Sequence, residues 1–434
     1  MPEIFPFKGV RYADELTKDL PDLIAPPYDV ISDEMRNELY KRNPYNIVHL
    51  DYNRSAPQDN STNNKYTRAA QNFQEWQEKQ VLIQDSQPAL YLYEQHFSYR
   101  DKTFIRQGIF CGVELVDLEE GKIIPHEETL SKPKEDRLAL LRHCSANFSP
   151  VFGLYHDKGK SIEKLIEKHL SSSDPIMDFS DTEGQQHRIW AVTDKETIQD
   201  IQQLLREKKF FIADGHHRYE TAFEYYREQS KKTENASGYA QTLMALVNTH
   251  NEGLLTFPTH RLITRSSIDS GELLEKLSKS FEITKLPSPE SAEELLSVLE
   301  KNLGISSGEI LSFGLYTPEK EFYILTIKNT AHSSQIHPWI DTIVLQELVL
   351  ENIFNLGEKE IKTKSDMAYL RDEWETKLQV DRGDAQYAFF MNKPAVEDLF
   401  ELAESGFRLP QKSTYFYPKL VTGLLMLKLG TNNF

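Results

Sequence analysis

The densest set of chemistry-bearing side chains lies at 210–219, Phe210-Phe211-Ile212-Ala213-Asp214-Gly215-His216-His217-Arg218-Tyr219. Four apolar residues read as a buried strand, and the polar turn after them opens what reads as a helix. A helix start carries N–H groups without intrahelical partners and the positive end of the helix dipole, which favours an anion. Gly215 permits backbone angles closed to other residues and a close ligand approach. Arg218 presents a fork of donors that fits a phosphate, with His216 and His217 beside it. Asp214 suits a hydroxyl proton or a divalent cation, although a plain helix cap is the commoner use of such a residue.

A second set follows Ile124-Pro125, with His126, Glu127, Glu128 and Thr129 and then Lys134, Asp136 and Arg137. A zinc-protease helix would need histidine at 130, where leucine stands, so that reading fails. Here His126 and Glu127 are candidate acid–base groups and Lys134 and Arg137 candidate phosphate ligands, against the ordinary reading of a charge run as a solvated helix face. The third set is Gln411-Lys412-Ser413-Thr414-Tyr415-Phe416-Tyr417-Pro418-Lys419. Gly406 stands six before Lys412, as in a phosphate-binding P-loop, but Gln411 replaces the required glycine and a helix precedes it, so a true P-loop is not expected. Lys412, Ser413, Thr414 and Lys419 remain candidates for an anion-binding loop. Ala25-Pro26-Pro27-Tyr28-Asp29-Val30 reads as a rigid extended turn ahead of Asp29, and Thr259-His260-Arg261 is a weaker His-Arg pair after a strand.

The elements that must position these groups are legible from periodicity. Helices are expected near 66–80, 135–143, 162–170, 195–208 and 217–230, and strands near 89–97, 104–115, 150–155, 188–192, 210–213 and 241–248. Arg100 to Lys102 suggests a hairpin turn. Strand–helix–strand–helix over 188–230 suggests an α/β unit. After 265 helices near 271–280 and 291–302 alternate with strands near 310–316 and 321–327. Further on, a helix is expected over 342–354, a strand at 388–392, a helix at 395–405 and a strand over 420–428. The division this implies is a main α/β domain at 1–265, a small α+β insert at 266–335, and a segment 336–434 packing back on the main domain. The fold class is α+β.

Composition narrows the partners. Fifty Lys and Arg against 67 Asp and Glu give a net charge of −17, which repels nucleic acid and anionic lipid. A bound phosphate would need a local positive pocket working against that field. Two cysteines, Cys111 and Cys144, exclude a disulfide scaffold and a cysteine-rich metal site. With no basic–apolar leader and no apolar run near the roughly 18–20 residues of a membrane span, a cytoplasmic protein is expected.

Pro6-Phe7-Lys8-Gly9-Val10-Arg11-Tyr12, the 25–31 segment, Pro125-His126-Glu127, the 213–222 segment and the 411–419 segment together resemble the bacterial and archaeal "domain of unknown function 1015" family. The likeness runs from residue 5 to about 425 and brings no established activity with it. More distantly, Asp214-Gly215-His216-His217-Arg218 at a strand-to-helix turn is similar to the Gly-x-His-Arg-type box of the ParB/sulfiredoxin-like superfamily, which includes free-serine kinases. That resemblance implies a ParB/sulfiredoxin-like α/β core with added α+β elements, and nucleotide phosphates at Gly215, His217 and Arg218. The function expected is a nucleotide-dependent phosphotransferase, using ATP or ADP with Mg²⁺ on a small hydroxylated metabolite such as free serine. Asp214 or Glu127 would orient the hydroxyl or hold the metal. A non-catalytic nucleotide sensor and a phosphohydrolase are the alternatives.

Overall fold

A computed structural model describes all residues except 128, 130, 304–310, 329–339, 358–365, 410–413 and 431–434. The chain is α+β and divides into two units. The first comprises Met1–Leu255 with Pro418–Phe434, and the second Thr256–Tyr417.

The first unit is built on a nine-stranded mixed sheet. In chain order its strands are β1 (Ile4–Phe5), β2 (Leu90–Tyr99), β3 (Lys102–Glu114), β4 (Ile123–Pro125), β5 (Val151–Tyr155), β6 (Met177–Ser180), β7 (Gln186–Val192), β8 (Phe210–Asp214) and β9 (Gln241–Asn248). Their spatial order is β4-β8-β5-β9-β3-β2-β7-β6, with β1 added on β3. Pairs β4–β8 and β5–β9 are parallel, and the rest are antiparallel. Every residue of β5 and of β9 is buried, as expected of strands covered on both faces, which read as unbroken runs rather than alternations. The β2–β3 turn places Arg100 and Asp101 at φ 46° and 58°, the left-handed pair that a two-residue hairpin requires.

Around the sheet stand α1 (Lys65–Glu78), α2 (Ser131–Cys144), α3 (Ser161–Leu170), α4 (Lys195–Leu205) and α5 (His216–Ser230). Helix α2 packs against α1 and α5, and α3 against α4. Caps explain several starts: Asn64 closes a capping box on α1, and Asp194 accepts from the Thr197 N–H at 2.8 Å on α4. The cap position of α5 is Gly215 at φ 92°, which has no side chain of its own to cap the helix.

The second unit is a six-stranded, fully antiparallel sheet. Its strands are β10 (His260–Ile263), β11 (Phe281–Leu286), β12 (Ser312–Tyr316), β13 (Phe322–Ile327), β14 (Met367–Leu370) and β15 (Tyr387–Phe390), in the spatial order β11-β13-β12-β15-β10-β14. Successive residues of a strand point to opposite faces, and both faces here are apolar. Phe313, Leu315, Leu325 and Phe389 join one core with Leu273 and Leu277 of α6 (Ser270–Leu277). Tyr316, Phe322, Ile324 and Phe390 join another with Leu295 and Leu299 of α7 (Ala292–Asn302) and Val380 of α8 (Glu373–Asp381). The unit is therefore a sheet with helices on both faces.

Four sequence expectations change. The segment 266–335 is not a separate insert, because β12 pairs with β15 and β15 with β10, which ties 260–390 into one sheet. The expected α/β unit is dispersed, since four strands stand between β7 and β8. The helix expected over 342–354 is α-helical only over Asp341–Leu345 and continues as a π-helical stretch, Gln346–Glu351. The strand expected over 420–428 is paired as a strand only at Leu427–Lys428, with single bridges from Thr422 to Ala25 and from Met426 to Val10.

Candidate functional site

The site grows from the end of β8. Parallel pairing of β8 with β4 sets Ile212 beside Pro125, so the residues that follow both strands emerge together. His126 and His216 consequently meet with ring centroids 4.7 Å apart, nearly edge to face. The His126 backbone N–H donates to His216 Nε2 at 3.2 Å. The His126 side chain, only 1% exposed, donates from Nδ1 to the Ile212 carbonyl at 2.7 Å. This fixes the proton on Nδ1 and leaves Nε2 facing Glu127, whose Oε1 lies 3.8 Å away.

Asp214 is the centre of charge. Its Oδ2 accepts from Arg218 Nη2 and its Oδ1 from Lys419 Nζ, both at 2.5 Å. Burial alone would raise its pKa, but the Lys419 ammonium and the Arg218 guanidinium reverse this and hold the carboxyl well below the usual carboxylate range. Arg218 also donates from Nη1 to the Pro150 carbonyl at the start of β5. Its side chain is only 10% exposed, and its buried Nε has no hydrogen-bond partner among the described residues. A Cβ on Gly215 would stand 2.8 Å from that Nε, so glycine is needed both for the backbone angle and for the room.

Lys134 Nζ donates to Glu220 Oε2 at 3.0 Å, as does Thr129 Oγ1 at 2.8 Å. Burial lowers the His217 pKa; Glu220 and Asp29 oppose that shift, while Lys134 and Arg218 reinforce it. Burial thus favours the neutral imidazole of His217, which lies within the field of four charged groups from three segments.

Arg137 sits deeper, with a side chain 6% exposed. It donates to the Asp51 carbonyl at 2.8 Å and to Asp51 Oδ1 at 3.1 Å, and to Asp136 Oδ2 from Nη2 at 2.6 Å and from Nε at 3.0 Å. Its guanidinium carbon stacks 4.1 Å from the centre of the Tyr28 ring. Burial would lower its pKa, yet Asp51 and Asp136 keep it raised. Burial likewise opposes ionisation of Asp136, but Arg137 and Lys65 bring that carboxyl down to about 2. Burial pushes Asp51 up despite Arg137 and Arg218, so Asp51 lies in the field of both guanidinium groups.

The structure therefore gathers His126, Glu127, Lys134, Arg137, Asp214, Gly215, His216, His217, Arg218 and Lys419 in the first unit. Thr414 lies in the second unit, and Lys412 and Ser413 lie outside the described residues. The expected locally positive pocket is corrected. Arg218 and Lys419 meet Asp214, Lys134 meets Glu220, and Arg137 meets Asp51 and Asp136, so the local charge is balanced. Sequence reasoning missed Tyr28, Asp51 and Glu220 as members. Asp51 carries no local signal, being one carboxylate after an apolar stretch, and Glu220 reads as an ordinary helix-face residue.

Among the described residues no group of three or more His, Cys, Asp or Glu side chains is arranged to hold a metal ion, and no helix is long and apolar enough to cross a membrane. Among solved structures, a conserved hypothetical protein from Pyrococcus furiosus is similar at 14% identity, covering 73% of this chain and 95% of that one, with a TM-score of 0.35. A free serine kinase in complex with AMP is similar at 12% identity over 74% of this chain and 91% of its own, with a TM-score of 0.37. A C-terminally truncated SbnI from Staphylococcus aureus is similar at 10% identity over 73% and 87%, with a TM-score of 0.35. No curated protein matches. The sequence model of a family described as a protein of unknown function, DUF1015, matches residues 4–348. Most of the chain, including the Asp214–Arg218 turn, falls within that match, and the protein belongs to the DUF1015 family.

Proposed function

We propose that the protein is a nucleotide-dependent phosphotransferase that moves a phosphoryl group from ATP or ADP to the hydroxyl of a small metabolite, free serine being one candidate. The observation that carries this reading is the Asp214 carboxylate held between Arg218 and Lys419 at a helix start, with the guanidinium packed against Gly215. Phosphoryl transfer needs little covalent help from a protein and much positioning and charge neutralisation. The Arg218 guanidinium, whose Nε has no hydrogen-bond partner among the described residues, and Lys419 Nζ would donate to phosphate oxygens. Asp214 stays ionised at every physiological pH, so it holds these two cations in place rather than carrying a proton. The proton from the acceptor hydroxyl goes to the His126–Glu127 pair, whose imidazole orientation the Ile212 carbonyl fixes. Because the local charges balance, a polyphosphate enters best as its Mg²⁺ complex, with the metal supplied by the nucleotide.

The test is incubation of the full chain with ATP or ADP, Mg²⁺ and a panel of hydroxy amino acids, with products read by phosphorus NMR and mass spectrometry. A phosphorylated acceptor is expected. Nucleotide binding without consumption would make the protein a sensor, and phosphate release without an acceptor would make it a phosphohydrolase. Either outcome overturns the phosphotransferase reading.

A further inference from the structure

Strand β8 runs antiparallel to β5, so Asp214 lies at the start of β5. A second group of polar side chains stands at the other end of the same strand. There β5 and its parallel neighbour β9 finish side by side, with Tyr155 opposite Asn248, and each is followed within two residues by a histidine. His156 Nε2 and His250 Nε2 are 3.5 Å apart, with ring centroids 4.6 Å apart and planes inclined at 68°.

That spacing is long for a hydrogen bond between ring nitrogens. It is close to the distance of about 3.4 Å that separates two ligands on one tetrahedral ion with metal–nitrogen bonds of about 2.0–2.1 Å. The frame around the pair is rigid. Asn248, fully buried, accepts from the Asp157 N–H at 3.0 Å and the His250 N–H at 3.2 Å, and donates to the Asp157 carbonyl at 2.8 Å. One side chain thereby fixes the backbone beside both histidines. Thr249 Oγ1 lies 3.3 Å from His156 Nδ1. An N–H at Nδ1 donating to that hydroxyl would leave the Nε2 lone pair directed at His250, the outer-shell arrangement that metal-bound imidazoles commonly show. His156 is exposed and His250 half-buried, so an ion has access.

We propose that His156 and His250 form a two-histidine chelate for a borderline divalent transition-metal ion of the zinc, nickel or copper class, completed by water. Imidazole ligands select these ions over Mg²⁺ or Ca²⁺. The neighbouring charges are internally paired: Lys208 lies 3.4 Å from Asp157 Oδ1, and Lys160 lies 3.5 Å from Glu252 Oε1. Bound metal would staple the segment after β5 to the segment after β9, at the end of the sheet remote from Asp214. This site is independent of the phosphotransferase reading.

Calorimetric titration of the full chain with NiCl₂ and with ZnCl₂, in chelator-treated buffer, tests it. One ion per chain is expected. His156→Ala and His250→Ala should each weaken that binding at least tenfold, and Thr249→Val by about tenfold. His143→Ala, on an exposed histidine elsewhere, should leave it unchanged. Copper(II) bound at one equivalent should show an electron paramagnetic resonance pattern from two equatorial nitrogens, which the folded wild type reports without any variant. No binding up to 1 mM metal, undiminished binding in both alanine variants, or a single-nitrogen copper spectrum would each overturn the proposal.

Discussion

At the scale of single residues, the site is defined by who neutralises whom. Asp214 is buried with two cations, and removing one partner of such a group is costly because the remaining charges are left poorly compensated. Asp214→Asn takes the carboxylate from both Arg218 and Lys419 and should therefore lower the stability of the first unit by about 3 kcal/mol in urea unfolding, more than Lys419→Met, which leaves the Asp214–Arg218 pair in place. For ligand binding the decisive side chain is Arg218. Arg218→Ala should weaken nucleotide binding about 10- to 100-fold in calorimetry, the range expected when a hydrogen bond to a charged group is lost. An undiminished affinity would remove Arg218 from the phosphate. The same residue-scale reading assigns Arg137 differently from its sequence expectation. With four hydrogen bonds to Asp51 and Asp136 and Tyr28 across its face, it organises the floor of the site.

At the scale of elements, Gly215→Ala should destabilise by about 1–3 kcal/mol in thermal or urea unfolding, since it places a Cβ at φ 92° and against Arg218. If the variant is as stable as the parent, the turn is not built as described. A second expectation concerns β10 and the short helix Asp341–Leu345 in the second unit. Burial raises the Asp341 pKa to about 6, and burial lowers that of His260 to about 3. A carboxyl raised in the fold stabilises below its unfolded value and loses that stabilisation as pH climbs through 6. A histidine depressed in the fold stabilises above about 6.5 and loses that stabilisation as pH falls towards 3. Between pH 4 and 6 the two slopes oppose each other. His260→Gln removes the opposing histidine slope, so from pH 6 to pH 4 the second unit should gain about 2–3 kcal/mol relative to the parent. Parallel pH profiles of variant and parent in urea unfolding would contradict it.

The elements themselves were largely legible in the sequence. Strands β2, β3, β5 and β9 and helices α1, α4 and α5 stand where periodicity puts them, because each buries one continuous face or run. Pairing was not legible. Nothing local tells β8 to join β4 and β5 while β7 joins β2, since strand partners are chosen by burial across the whole sheet. For the same reason the His126 and Asp214 segments could be named separately but not joined, and Asp51, whose only mark is its partner Arg137, was invisible. The π-helical stretch after Asp341–Leu345 was read as ordinary helix because the apolar spacing of the two is too similar to tell apart over six residues.

At the scale of the molecule, the charge of −17 still speaks against polyanionic partners. Duplex DNA should not be retarded by the protein in gel shifts at 150 mM salt, and a retarded band would show a basic surface that the sequence does not suggest. The balanced site sharpens this: selection among anions rests on fitting between Arg218, Lys419 and Asp214, with little attraction acting at a distance. Such a site should bind a nucleotide with weak salt dependence, unlike one that gathers its ligand by a long-range field.

Lys419 and Asp214 are 205 positions apart in sequence, and the whole second unit is spelled out between them. The same returning segment bridges Met426 to Val10, Thr422 to Ala25 and Leu427 to Asn147. During synthesis at about 5–20 residues per second, the nine strands of the first sheet therefore leave the ribosome tens of seconds or less before the chain that completes their centre. A nascent or prematurely terminated polypeptide ending before Lys419 would carry Asp214 with Arg218 alone. The two-cation arrangement around this carboxylate is thus a built-in mark that synthesis has passed through the second unit and reached Lys419.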